Sequence, residues 1–191
     1  MGTDAATVKR PLRADAQRNY DKIVQVATQA FAENGTGASL DDIACRAGVG
    51  PGTLYRHFPT RDALLAAALH GALEELGDTA RRLVAEPDAG EALDEWIVEL
   101  ARHLRTYGGL PDSIATALQD PDSLLGTKCQ PMRSGTERLL ERAKASGAVR
   151  ADVQAGDLNA LIGSLAWAAE RRGDSDKALR RLIKLVTEGL R

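Results

Sequence analysis

Aromatic residues are scarce in this chain of 191 residues: two Trp, three Tyr and two Phe, 4% in all. So few rings leave the core to aliphatic side chains, and Ala and Leu are plentiful. No segment alternates β-branched with polar residues, which excludes a sheet and leaves an all-α fold. No run approaches the roughly 20 unbroken apolar residues of a membrane span, and the N-terminus lacks the apolar centre of a signal peptide. A soluble, cytoplasmic protein without membrane contact is expected. The two cysteines, Cys45 and Cys129, match no metal-ligand spacing and stay reduced in a cytosol. Cys45 reads as a small buried hydrophobe; Cys129 reads as the same or as a redox-sensitive thiol. Acids, histidines and serines form no nucleophile elbow, phosphate loop or HExxH pair, so an enzyme is the competing class without a visible site, and no cofactor or metal is expected.

Charge is nearly balanced, with 25 Lys and Arg against 27 Asp and Glu and a net charge of −2. A nucleic-acid binder working by bulk electrostatics is excluded; the distribution carries more information. Lys9, Arg10, Arg13 and Arg18 crowd the N-terminal end, and Arg46, Arg56 and Arg61 follow. Acids gather later, at Glu74, Glu75, Asp78, Glu86, Asp88, Glu91, Asp94, Glu95 and Glu99. A basic end and an acidic body orient a protein on DNA without a basic total.

Residues 39–58, SLDDIACRAGVGPGTLYRHF, organise the rest. Ser39 is a good N-cap and Asp42 completes a carboxylate variant of the capping box, so a helix starts at Leu40. Leu40, Ile43, Ala44 and Ala47 mark its buried face. Gly48 stops it where a left-handed backbone is needed. Gly50 is a weak N-cap, Pro51 opens a second helix, and Leu54 and Phe58 point inward. Thr53, Tyr55, Arg56 and His57 are left outside. Helix, tight glycine turn and polar second helix is the pattern that places a recognition helix in the DNA major groove.

The wider segment resembles the N-terminal DNA-binding domain of TetR-family transcriptional regulators through IVQVATQAFAENG (23–35), SLDDIACRAGV (39–49) and GTLYRHFPTRDALL (52–65). A weaker likeness to one branch of that family runs through GAVRADV (147–153), Asp157-Leu158 and RLIKLVTEGLR (181–191). The pattern departs from many relatives at Gly50, where they carry Ser or Thr, and fewer side chains remain to read bases.

About nine helices are expected. Residues 1–13 read as a basic arm, either tracking DNA or without function. The helix-turn-helix domain covers 14–62, its first helix (14–33) carrying the stripe Tyr20, Ile23, Val24, Ala27, Ala30 and Phe31. Residues 63–191 form a ligand-binding and dimerisation body. A long fourth helix, capped by Thr60 and running to about Glu86, joins the two. Asp88 caps a fifth; a short sixth begins at Pro111 or Asp112 and includes Ile114 and Leu118. Asp120-Pro121 opens a seventh, which Pro131 kinks or breaks near residues 127–130. The eighth and the ninth, capped by Ser175, are amphipathic and can pack on their own copies as a four-helix bundle.

The resemblance implies a homodimer on a near-palindromic double-stranded operator, with recognition helices roughly 34 Å apart, most simply a repressor released by a small molecule. Activation, or DNA binding without ligand control, fits the same reading head. Expected DNA contacts are Arg10, Arg13, Ser39, Thr53, Tyr55, Arg56, His57, Thr60 and Arg61. Thr60 and Arg61 sit at a helix start that favours a phosphate; Tyr55 has the alternative of packing under Arg61. Candidate pocket residues are Trp96, Leu100, His103, Tyr107, Leu125, Met132 and Trp167, for each of which core packing is the plainer reading, and they suit an apolar or aromatic ligand. The candidate dimer face comprises Leu158, Leu161, Ile162, Leu165, Leu179, Leu182, Ile183 and Val186.

Overall fold

The computed structural model describes residues 9–107, 120 and 122–190, with side chains from Ala14 onward. Nine α-helices lie among them: α1 (Lys9–Asn34), α2 (Leu40–Arg46), α3 (Pro51–His57), α4 (Arg61–Val84), α5 (Ala89–Thr106), α6 (Leu124–Lys128), α7 (Gln130–Ala145), α8 (Ala155–Arg171) and α9 (Asp176–Glu188). The expected short helix at 111–118 and Pro121 lie outside the described residues, as do residues 1–8 and the side chains of Arg10 and Arg13. No described helix is long and apolar enough to cross a membrane.

Local chemistry sets the boundaries. Ser39, Thr60 and Ser175 cap their helices by accepting the amides of Asp42, Ala63 and Ala178, and Asp88 accepts those of Gly90 and Glu91. Gly48 takes φ 68, the left-handed value that ends α2. Two boundaries differ from expectation. Residues 9–13, read as part of the arm, already belong to α1; Pro11 falls in its first turn, where an amide has no intrahelical partner and proline is tolerated. The expected seventh helix is two. Pro131 stands in the first turn of α7, so the chain breaks at Cys129, and α6 is capped by Ser123 rather than Asp120. Asp120 instead accepts Ser123 Oγ through its carbonyl at 2.8 Å.

The core is one continuous apolar cluster from Ile23 in α1 to Ile183 in α9. Helix α4 is its axis, packing on α1 at one end and on α5, α6 and α7 along its length. Thr28 Oγ1 lies 3.1 Å from Ala68 O and ties α1 to α4. At the other end Arg142 of α7 donates to Leu83 O at 3.3 Å and to Glu86 O, just beyond the helix, at 2.6 Å, tying α7 to the end of α4. Helices α4 and α7 meet through small residues. A Cβ on Gly77 would stand 2.9 Å from Pro131 Cβ, and one on Gly135 would stand 2.6 Å from Ala80 Cβ.

One buried polar chain crosses the body. Trp96 Nε1 of α5 donates to Thr136 Oγ1 of α7 at 2.9 Å, and the hydroxyl stands 3.0 Å from Asn159 Oδ1 of α8. Thr136 is fully buried, so each partner depends on it.

Thr136→Val keeps the shape but strands the Trp96 N–H and the Asn159 side chain, at a cost of about 1–3 kcal/mol; urea unfolding should show that loss, and Thr136→Ser should recover most of it. Gly135→Ala should lower stability by about 1 kcal/mol or more through overpacking, although alanine is the better helix former. A melting temperature at or above that of the parent would contradict the close α4–α7 contact.

Candidate nucleic-acid interface

Helices α2 and α3 form the reading head on the brace of α1. Ile43 and Ala44 of α2, Leu54 of α3 and Phe58 behind it bury themselves against Ile23, Ala27 and Phe31. This phase turns the rest of α3 outward. Tyr55 is 46% exposed, and Arg56 is exposed beside it. Thr53 is half-buried, whereas Ser39 and Thr60 are exposed at their capping positions. His57 differs from the expected outward residue: it is half-buried, with its ring 6.2 Å from Tyr20 and 6.3 Å from Phe58. It comes three residues after Leu54, on the edge of the inward face.

Arg61 does something the sequence did not suggest. Its Nη1 donates to Thr36 O at 2.9 Å and Ala38 O at 2.7 Å, latching the start of α4 to the loop between α1 and α2. Charge-assisted bonds from this one nitrogen to two carbonyls anchor the head. Arg46 is likewise held, 3.0 Å from Glu33. Cys45, expected inside, is exposed; Ile43 and Ala44 face the core, and a residue one step further along α2 rotates about 100° away. Cys129 is buried, and burial pushes its thiol pKa up, away from reactive thiolate.

Of the candidate pocket residues, Trp96, Leu100, Leu125 and Met132 are buried core, as is Tyr107, whose phenol pKa burial and Glu75 raise. His103 is half-buried, its ring 5.3 Å from Tyr107, in a cleft of about 240 Å³ between α4 and α5 that Glu75, Glu99 and Arg102 also line. Burial lowers its pKa from 6.5 to about 4. Trp167 is not with them. It is 51% exposed on α8, with Arg171 5.4 Å from its ring centre. The candidate dimer residues divide: Leu158, Ile162, Leu179 and Ile183 are buried within the protomer, while Leu165, Leu182 and Val186 are half-buried and Leu161 is exposed. Leu185, absent from the expected set, is 64% exposed on α9.

His103 gives a pH dependence with a definite sign. Its folded-state pKa lies below the unfolded value, so its full contribution is present above pH 6.5 and is lost as pH falls from 6.5 to about 4, where the unfolded chain binds the extra proton. His103→Gln should flatten that part of the stability profile by on the order of 1–3 kcal/mol. An unchanged acid limb in urea titrations would place the imidazole in water.

A model described as "Bacterial regulatory proteins, tetR family" matches residues 23–68, and one described as "Transcriptional regulator SbtR-like, C-terminal domain" matches residues 88–191. The HTH-type transcriptional repressor Rv3405c of Mycobacterium tuberculosis is 39% identical over 85 residues, 44% of this chain and 43% of that protein. The chain thus spans less than half the length of the first curated relatives it matches. The TetR transcriptional regulator SCO0520 of Streptomyces coelicolor is similar in structure with a TM-score of 0.58 and 35% identity, covering 90% of this chain and 97% of that one. A TetR regulatory protein of Mycobacterium vanbaalenii gives a TM-score of 0.54 at 35% identity, covering 95% and 99%. With a family model over more than half its length and this agreement in fold, the chain belongs to the TetR family of bacterial transcriptional regulators.

Proposed function

We propose that the protein is a homodimeric repressor that binds a near-palindromic operator through α3 and leaves it when a small molecule binds the body. The observation that carries this reading is α3 itself: its apolar side is spent on the head, and Tyr55 and Arg56 stand exposed on its outer face. Thr53 and Arg56 face base edges in this reading, with Tyr55, Ser39, Thr60 and the edge of His57 on the backbone. Arg10 and Arg13 reach phosphates from the N-terminal end, and Arg61 holds the head. The division into an arm, a reading head to residue 62 and a body beyond it is part of the proposal.

Dimerisation uses the accessible remainder of α8 and α9. Leu161, Leu165, Leu182 and Val186 are joined by Trp167 and Leu185, which the protomer leaves uncovered. Two α8–α9 pairs make a four-helix bundle and set the two α3 helices one turn of DNA apart. Repression is favoured over activation by the relative that is named a repressor. Ligand control fits the half-buried His103 and Tyr107 beside α4, the helix that joins body and head. A ligand acts there only by its difference in affinity for the DNA-competent and displaced states.

Arg56→Ala and Tyr55→Ala should each weaken binding to the DNA upstream of the protein's own gene by about tenfold or more, about 1–3 kcal/mol. Their melting temperatures should match the parent, since both side chains are exposed. Gel shifts beside thermal melts check this; unchanged affinity in both variants would remove α3 from the interface.

A further inference from the structure

A cleft opens where the head meets the body. About 310 Å³ in volume, it lies between α1, the end of α3, the first half of α4 and α6. Its floor is alanine: Ala63, Ala66 and Ala67 recur at helical spacing on one face of α4 and leave a depression that larger side chains would fill. Aromatic rings wall one side, with Tyr20 and Phe58 5.0 Å apart between ring centres. Leu124 of α6, 66% exposed, supplies apolar surface to the lining.

The titratable side chains on this apolar frame are His57, His70, Lys128 and the Tyr20 phenol, and no carboxylate lines the cleft among the described residues. Glu74 stands 3.9 Å from His70 Nδ1 but is outside the lining. Lys128 makes no ion pair among the described residues, so its ammonium is available to an incoming anion. An apolar slot with ring walls, an unpaired ammonium and two imidazoles is chemistry for a flat hydrophobic body carrying one negative charge. A volume near the lower end for small-molecule sites limits that body to one or two rings.

We propose that the cleft between head and body is a binding site for a small aromatic carboxylate, with the rings on the alanine floor and the carboxylate at Lys128 and the histidines. It is separate from the His103 cleft, and only its consequence for DNA rests on the regulator reading. Its walls come from the head through α1 and α3 and from the body through α6, so an occupant fixes one placement of the head.

Calorimetric titration of the full chain with 2-naphthoate, without DNA, tests the site directly. 2-Naphthoate should bind, and the uncharged 2-naphthamide should bind about tenfold more weakly or less. Ala67→Trp, which fills the floor, should abolish binding. Lys128→Gln, on an exposed side chain that leaves the fold intact, should weaken it several-fold and carries the test if Ala67→Trp does not fold. No heat of binding with 2-naphthoate up to millimolar concentration, equal affinity for acid and amide, or affinity unchanged by Lys128→Gln would each overturn the proposal. Because DNA is absent, failure here leaves operator binding standing, and failure of operator binding leaves this site standing.

Discussion

The close approach of α4 and α7 is the contact on which the body depends. Gly77 and Gly135 have no side chain where one would collide with Pro131 and Ala80. That lack lets the two backbones come near enough for α7 to offer Thr136 to Trp96 and Arg142 to the carbonyls of Leu83 and Glu86. Protein interiors are packed too densely to absorb a misplaced methyl at such a crossing. The position of α4 in the body is therefore fixed by side chains that are absent as much as by those present.

What α4 transmits follows from its other end. The helix is continuous from Arg61 to Val84, and the first residue of the same rod is latched to the carbonyls of Thr36 and Ala38. Thr28 joins α1 to it a little further on. The head is thus bolted to one end of a helix whose remainder is packed in the body. The proposed ligand control would act through this continuity, since α4 runs from body to head as one helix.

Helix identity was legible because apolar spacing and capping residues agreed: Ser39, Thr60, Asp88 and Ser175 cap as their positions suggest, and Gly48 turns the chain. Pro131 announced the break before α7. Function-bearing side chains were less legible, since helical phase gives a direction but not what lies there. Trp167 sits one residue beyond buried Ala166 and turns outward, away from the other candidate pocket residues. Leu158, Ile162, Leu179 and Ile183 share an apolar pattern with their neighbours, and nothing in that pattern distinguishes a face packed within the protomer from one left for a second copy. Arg61 is the clearest case. A cation beside the motif at a helix start reads as a phosphate ligand, and only the fold shows that its Nη1 also holds two carbonyls distant in sequence.

The central claim is that a dimer presents two α3 helices to one symmetric DNA site. Fluorescence anisotropy on the DNA upstream of the gene, against scrambled DNA of equal length across a salt series, measures it most directly. The account predicts saturation at two protomers per site, a steep loss of affinity with salt, and specific binding about a thousandfold or more above scrambled DNA. Equal, weak binding to both sequences would contradict it.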